Sequence, residues 1–113
     1  MALDEAIFRE FDLNTLLTFM MVYQTRGVTR AALALDVSQP AVSNVLGKLR
    51  LQFKDPLFIP EGRQVRPTAK AKDIAEALEP ALSAIQGVIA LRTGSKRRMK
   101  PCNQTTGPVL PAL

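Results

Sequence analysis

One stretch of the sequence, residues 38–51, combines small polar side chains with an absence of acidic residues. Its apolar residues are spaced by four, three and four positions, which predicts an amphipathic helix whose core-facing stripe is Val42, Leu46, Leu49 and Phe53. The opposite face carries Pro40, Ser43, Asn44 and Gly47, with Gln39 and Lys48 at its margins. Small polar side chains can hydrogen-bond the edges of nucleic-acid bases. The pattern favours a nucleic-acid contact, and an unpartnered solvent-exposed face is the alternative.

The charges of the chain are unevenly distributed, with a basic middle between two acidic segments. Residues 26–72 hold nine basic and three acidic side chains, whereas residues 1–12 hold one basic and four acidic ones. Residues 73–92 are again acidic overall, although the whole chain has a formal net charge of +5. A basic segment of this kind attracts polyanions such as nucleic acids. On charge alone, an ordinary solvated surface explains this uneven charge distribution equally well.

The composition excludes several classes of function. The sequence contains no His and only one Cys, Cys102, so a His-ligated metal, a zinc finger and an intramolecular disulfide are excluded. Three carboxylates share one predicted helix face (Asp73, Glu76 and Glu79), but no nucleophile, base or phosphate-binding loop accompanies them. We therefore expect neither an enzyme nor a protein with a metal or another cofactor.

The start of the chain and its hydropathy predict where the protein is found. Residues 1–12 are acidic and lack the apolar stretch of a signal peptide. No apolar run approaches the roughly 18 residues that span a bilayer. The sequence therefore predicts a cytoplasmic protein that does not contact a membrane.

The elements that must position the polar face are short helices within a single domain of mostly α structure. Apolar spacing predicts a first helix from Leu13, capped by Asp12, to Arg26, with Gly27 ending it, and a second helix over residues 29–35. Ser38 caps the third helix, and only residues 36–38 separate it from the second. Two helices joined this tightly form a helix-turn-helix.

A two-stranded hairpin and a long helix follow the third helix in the prediction. Residues 57–59 and 63–66 read as strands joined by a turn at residues 60–62, which makes a wing beside the helix-turn-helix. Thr68 caps a long helix whose apolar seam has a heptad-like spacing of 4, 3, 4, 3 and 4: Ala71, Ala75, Leu78, Leu82, Ile85 and Ile89. The seam favours pairing with a second copy of the chain, and packing on the first helix is the alternative. Pro80 predicts a kink in this helix.

Several ordered motifs resemble those of the LysR-type transcriptional regulators, over roughly residues 8–91. They are Thr29-Arg30-Ala31-Ala32, Val37-Ser38-Gln39-Pro40-Ala41-Val42-Ser43, Asp55-Pro56-Leu57-Phe58 and Gly62-Arg63. Phe11-Asp12-Leu13-Asn14 and Pro67-Thr68 agree with the subgroup of nodulation and aromatic-degradation regulators. The resemblance implies a winged helix-turn-helix (a three-helix core plus a two-stranded wing) that dimerises through a long linker helix and binds double-stranded promoter DNA.

The resemblance also implies roles for individual residues. Base-reading positions are Gln39, Pro40 and Ser43, with Asn44 beside them. Phosphate-contacting positions are Thr29, Arg30 and Ser38, to which we add the basic Lys48 at the margin of the same face. Arg63 occupies the wing position that enters the minor groove. The seam residues Ala75, Leu78, Leu82, Ile85 and Ile89 would form the homodimer.

Residues 93–113 do not look like the family's continuation, which is a ligand-sensing domain. They hold three prolines and a basic cluster without helical or strand periodicity, so we predict a disordered basic tail. The expected organisation is a winged helix-turn-helix at residues 1–67, a linker helix at residues 68–92 and this tail, with no inducer site. The expected function is specific DNA binding as a dimer on an interrupted palindromic promoter site, in the bacterial cytoplasm and on the nucleoid. The alternative is an interaction module that pairs with a full-length regulator and antagonises it.

Overall fold

A computed structural model of the protein describes residues 2–93, without the side chain of Thr93. Its elements are α1 (Glu5–Glu10), α2 (Leu13–Thr25), α3 (Val28–Leu35), α4 (Gln39–Phe53), β1 (Phe58–Glu61), β2 (Gln64–Pro67), α5 (Ala69–Ala90) and a 3₁₀ turn (Leu91–Thr93). The predicted winged helix-turn-helix followed by a long helix is confirmed. The predicted tail, from residue 94 onward, lies outside the described residues.

Helix α1 was not predicted from the sequence. It has only six residues, none of them buried, and begins at Asp4, whose side chain accepts a hydrogen bond from the Ala6 N–H at 3.1 Å. Such a short helix lacks the apolar periodicity on which the prediction of the other helices rested.

The core lies where α2, α3 and α4 pack on one another. Its largest fully buried side chains are Phe19, Leu46, Leu49, Leu57, Val22 and Val42. The Phe19 ring also lies 5.3 Å from the Phe58 ring of β1, centroid to centroid. Phe53, the last residue of the predicted stripe, is half-buried and contacts the Phe11 ring at 5.5 Å.

Helix α2 ends differently from the prediction. The left-handed residue after it is Arg26 (φ 59°), whereas Gly27 has extended backbone and caps the start of α3. Three contacts hold Arg26 in this conformation. Its N–H donates to the Val22 carbonyl at 2.8 Å, its carbonyl accepts from the Val65 N–H at 2.9 Å, and its guanidinium lies 4.8 Å from the centre of the Tyr23 ring. The prediction that Gly27 ends the helix is therefore wrong, because contacts within α2 and the hydrogen bond from Val65 hold an Arg in the conformation that glycine usually takes.

The turn between α3 and α4 follows the prediction. Asp36 is left-handed (φ 58°), and the Val37 N–H donates to the Ala32 carbonyl at 3.0 Å. Ser38 caps α4 by accepting the Ala41 N–H at 3.2 Å, and Pro40 stands in the first turn, where no N–H is needed. This turn fixes the start of α4 beside α3.

The wing is shifted by about one residue from its predicted position. Strands β1 and β2 are antiparallel, and their last pair is Glu61 with Gln64, so the loop consists of Gly62 (φ 65°) and Arg63. Leu57 lies outside the strand, fully buried and also left-handed (φ 64°). The fixed turn at Leu57 delays the strand until Phe58, because a left-handed residue cannot continue a strand.

Helix α5 continues past Pro80 without a break. The chain divides there into two compact units, Met1–Pro80 and Ala81–Leu113. The first turns of α5 belong to the first unit, because Ala71 and Ala75 are buried. Thr68 caps the helix as predicted, since its hydroxyl accepts the Ala71 N–H at 3.1 Å.

Candidate nucleic-acid interface

The outer surface of α4 carries four exposed residues that we call the base-reading face: Gln39, Pro40, Ser43 and Asn44. The opposite side of the helix is anchored in the core, where Val42, Leu46 and Leu49 are at most 1% exposed. A rigid helix therefore presents short side chains to solvent, with no acidic residue between Ser38 and Leu51. Surfaces of this kind can enter a DNA groove without repelling phosphates.

A first depression, of about 390 Å³, lies between the starts of α3 and α4 and the wing. Its lining brings together four predicted contact residues that are distant in sequence: Thr29, Arg30, Gln39 and Arg63. Within it, the Thr29 hydroxyl donates to Oε1 of Gln39 at 3.2 Å. The hydrogen bond from the Val65 N–H of β2 to the Arg26 carbonyl keeps β2 beside the start of α3 and so maintains this arrangement.

The two arginines that line the first depression, Arg30 and Arg63, differ in their contacts with the rest of the chain. Arg30 donates from Nη1 to the Thr25 carbonyl at 3.4 Å, which leaves its other N–H groups available. Arg63, at the tip of the wing, is exposed, and the described residues provide it with neither an ion pair nor a hydrogen bond. Arg66, the other arginine of the wing, is instead paired with Glu61, with 3.3 Å between its Nε and Oε2 of Glu61. Arg63 is the wing cation that is available to an anionic partner.

The N-terminus of α4 is also open to solvent. Ser38 is exposed, and its hydroxyl oxygen accepts the Ala41 N–H while its own O–H has no partner among the described residues. Helix N-termini attract phosphates because their first N–H groups are unpaired and the helix dipole is positive there. Ser38 thus lies at an exposed helix N-terminus, and its contact with phosphate stays a prediction.

A second depression, of about 310 Å³, contains Asn44 and Lys48 beside the start of α2. Asp12 lies on its rim, and hydrogen bonds from the N–H and hydroxyl of Thr15 lower the pKa of its carboxyl, with a smaller contribution from Lys48. Asp12 is therefore ionised at neutral pH and partly offsets the charge of Lys48. Lys48 therefore lies near a carboxylate of the chain itself.

The structure adds Gln64 and Asn14 to the residues beside the predicted contacts, in the first and second depressions respectively. Gln64 follows Arg63 at the wing loop, so its proximity to Arg63 is visible in the sequence. The proximity of Asn14 to Asn44 is not visible in the sequence, because only the packing of α2 against α4 brings the two residues together.

A model of the bacterial regulatory helix-turn-helix proteins of the lysR family matches residues 13–72. The chain belongs to the LysR family. The match runs from the first residue of α2 into the first turn of α5, and so contains the first depression, the wing and the lining of the second depression apart from Asp12.

Sequence relatives of this LysR-family chain include a transcriptional regulator and a nodulation protein. The transcriptional regulator LeuO of Escherichia coli K12 is 44% identical over 78 residues, which cover 69% of this chain and 25% of LeuO. Nodulation protein D 3 of Rhizobium leguminosarum bv. phaseoli is 39% identical over 79 residues, covering 70% of this chain and 26% of that protein. The chain therefore spans about a quarter of the length of these relatives.

Solved structures share the fold of the LysR-family chain. A crystal structure of a probable transcriptional regulator from Pseudomonas aeruginosa matches 74% of this chain and 28% of that chain, with a TM-score of 0.69 and 38% identity. The BenM DNA-binding domain in complex with benA site 1 DNA has a TM-score of 0.66 at 22% identity, over 74% of this chain and 96% of that one. At this lower identity, the likeness concerns the fold.

The predicted dimerisation residues of the LysR-family chain differ in exposure. Ala75 is 3% exposed, so it belongs to the chain's own core and offers no surface to a second copy. Leu78 and Leu82 are half-buried, whereas Ile85 and Ile89 are 40% and 45% exposed. Val88, which lies between them on α5, is 66% exposed. Exposed apolar side chains spaced in this way on a helix suit a contact with another helix.

The described part of the chain contains neither a metal-binding cluster nor a membrane-spanning helix. Residues 2–93 contain no cluster of three or more Asp, Glu, His or Cys side chains that could hold a metal ion. Within the same residues, no helix is both long enough and apolar enough to cross a membrane.

Proposed function

We propose that this LysR-family chain binds double-stranded DNA as a transcriptional regulator, with α4 in the major groove. The observation that carries the proposal is the first depression, where Gln39 of the base-reading face meets Thr29, Arg30 and Arg63. The DNA complex of the BenM domain, which has the same fold, supports it. The site of action would be the bacterial nucleoid, within the cytoplasm.

The proposed roles follow from the chemistry of each side chain. Gln39, Pro40, Ser43 and Asn44 contact base edges, because amide and hydroxyl groups offer both donors and acceptors. Arg30, Lys48 and Ser38 contact phosphates, together with the N-terminus of α4. Arg63 enters the minor groove next to the half-site, where a narrow groove concentrates negative potential.

We further propose a homodimer formed by the apolar side of α5, from Leu78 to Ile89. A two-fold dimer places two copies of α4 about one DNA turn apart or a multiple of it, so the site would be an interrupted palindrome. The exposure of Ile85, Val88 and Ile89 also supports the second candidate, in which α5 pairs with a longer LysR-family protein and antagonises it. The two candidates differ in whether the purified chain binds DNA specifically without a partner.

The test begins with a duplex selected from a randomised library by the full chain. Gln39→Ala should weaken binding to the selected duplex by about 1–3 kcal/mol, and binding to random DNA much less. Gln24→Ala is the matched control, because Gln24 is an exposed α2 residue outside both depressions. Equal losses on the two duplexes would show that Gln39 does not read bases, and affinity independent of salt would rule out nucleic-acid binding by the basic segment.

A further inference from the structure

The hydrogen bond between Thr29 and Gln39 links the two helices of the helix-turn-helix at their N-terminal ends. Thr29 is the second residue of α3, and Gln39 is the first residue of α4. The Thr29 hydroxyl donates to Oε1 of Gln39 at 3.2 Å, and both residues are exposed within the first depression. The bond therefore exists at the surface where DNA is proposed to bind, and it ties a side chain of α3 to the base-reading face.

A hydroxyl has a single hydrogen to donate, whereas a phosphate oxygen can only accept. While Thr29 donates to Gln39, it cannot also donate to a DNA phosphate. We propose that Thr29 is a positioning residue that holds the Gln39 amide for base recognition, rather than a phosphate ligand as the family resemblance implies. This inference rests on the proposed function of Gln39.

The orientation of the amide suits one base in particular. Oε1 of Gln39 has two acceptor sites, of which Thr29 occupies one, and both hydrogens of Nε2 remain free. The free acceptor and a free donor match the N6 amino group and N7 of adenine in the major groove. Guanine presents two acceptors there, so it would leave Oε1 without a donor. Thr29 would thus favour adenine by keeping Oε1 oriented.

A threonine suits this role because of its stiffness. Its β-branched side chain has few rotamers in a helix, whereas an unrestrained Gln has several freely rotating torsions. Fixing the amide before binding reduces the entropy that is lost when DNA is bound. The gain should appear in specific binding alone, because random DNA does not engage the amide productively.

The test compares Thr29→Val, which removes the hydroxyl but keeps the shape, with Thr29→Ser, which keeps the hydroxyl. Thr29→Val should weaken binding to the library-selected duplex about three- to tenfold, as expected for one hydrogen bond. Its affinity for random duplex and its salt dependence should not change, and Thr29→Ser should stay close to the parent. In a Gln39→Ala background, Thr29→Val should have no further effect, because the amide that it positions is absent.

Three results would overturn the inference, and they can be told apart. If Thr29 were a phosphate ligand, Thr29→Val would lose affinity for both duplexes by a similar factor, with an unchanged salt slope because a neutral hydroxyl releases no counterion. Full additivity of Thr29→Val and Gln39→Ala would mean that Thr29 acts independently of Gln39. If Gln39→Ala weakened both duplexes equally, base reading by Gln39 would itself be wrong. The first two results leave base reading by Gln39 intact, whereas the third removes that role of Gln39 without excluding DNA binding by the chain.

Discussion

At the scale of single residues, what distinguishes the cations of the basic segment is the use that the chain already makes of them. Arg26 lies over the Tyr23 ring, Arg50 donates from Nε to the Pro56 carbonyl at 3.0 Å, and Arg66 pairs with Glu61. These side chains make contacts within the chain and still add to its positive electrostatic potential. Arg63 has no such contact among residues 2–93 and projects from the wing loop. The net charge of the segment therefore overstates the number of side chains that are ready to bind phosphate.

We expect Arg63→Ala to weaken DNA binding and to flatten the log–log salt slope by about 0.9 per protomer, because one phosphate contact is lost. Preference for A·T-rich DNA beside the half-site should also fall, since narrow minor grooves attract Arg. Fluorescence anisotropy over a range of salt concentrations measures both effects. Arg66→Ala is the matched control, because it removes the same charge from a side chain that is already paired with Glu61. Identical slopes for the two variants would contradict a specific role for the wing tip.

At the scale of the elements, the sequence predicts those features that local chemistry determines. Ser38, Pro40 and the left-handed Asp36 define the start of α4 and the turn before it without help from distant residues. Arg26 and Leu57 also adopt left-handed backbone, but no local signal indicates it. Each conformation also involves a distant partner, Val65 for Arg26 and Thr68 for Leu57, which a pattern of neighbouring residues does not contain.

The same distinction applies to the candidate interface. The polar face of α4 follows from helical spacing, and its members are exposed except for the half-buried Gly47. The hydrogen bond from Thr29 to Gln39 and the approach of Arg63 to them depend on how α3, α4 and the wing pack. Residue types and faces could therefore be predicted, whereas the pairing of individual side chains required the structure.

The junction between α4, the wing and α5 depends on one carboxylate. Oδ2 of Asp55 accepts the Leu57 N–H at 2.8 Å and the Thr68 hydroxyl at 2.7 Å. The Leu57 carbonyl in turn accepts the Thr68 N–H at 2.8 Å, so the residue before β1 is tied to the cap of α5. These bonds hold Leu57 in its left-handed conformation, which would otherwise be costly for a leucine.

Asp55→Ala should therefore lower the free energy of unfolding by about 1–3 kcal/mol, because two partly buried donors lose their acceptor. Chemical denaturation followed by circular dichroism measures the change. Asp73→Ala serves as the control, since Asp73 is exposed on α5 and should change stability by no more than about 0.5 kcal/mol. Equal stability of the two variants would show that the Asp55 bonds do not hold the junction.

At the scale of the whole molecule, the last part of α5 exposes apolar side chains that its own unit does not cover. Ile85, Val88 and Ile89 keep between 40% and 66% of their surface exposed. Ala71 and Ala75, which continue the same seam toward the N-terminus, are buried within the first unit. The seam thus serves two purposes in this interpretation, a core contact at its start and an association surface from Leu78 onward.

We expect the chain to be a dimer at micromolar concentration and Ile85→Asp to make it monomeric, because pairing would bury an unpaired charge. Ile85 suits this test better than a core residue, since its exposure lets the variant fold. Leu33→Asp is the control, because Leu33 is 78% exposed on α3, outside the seam. Analytical ultracentrifugation of the three proteins should give dimer, monomer and dimer. A monomer in the unsubstituted chain would contradict homodimerisation and leave pairing with a longer relative, whereas a dimeric Ile85→Asp would move the association surface elsewhere.

The monomeric variant should also lose more affinity for a two-half-site duplex than for a single half-site, because only a dimer binds both half-sites with one molecule.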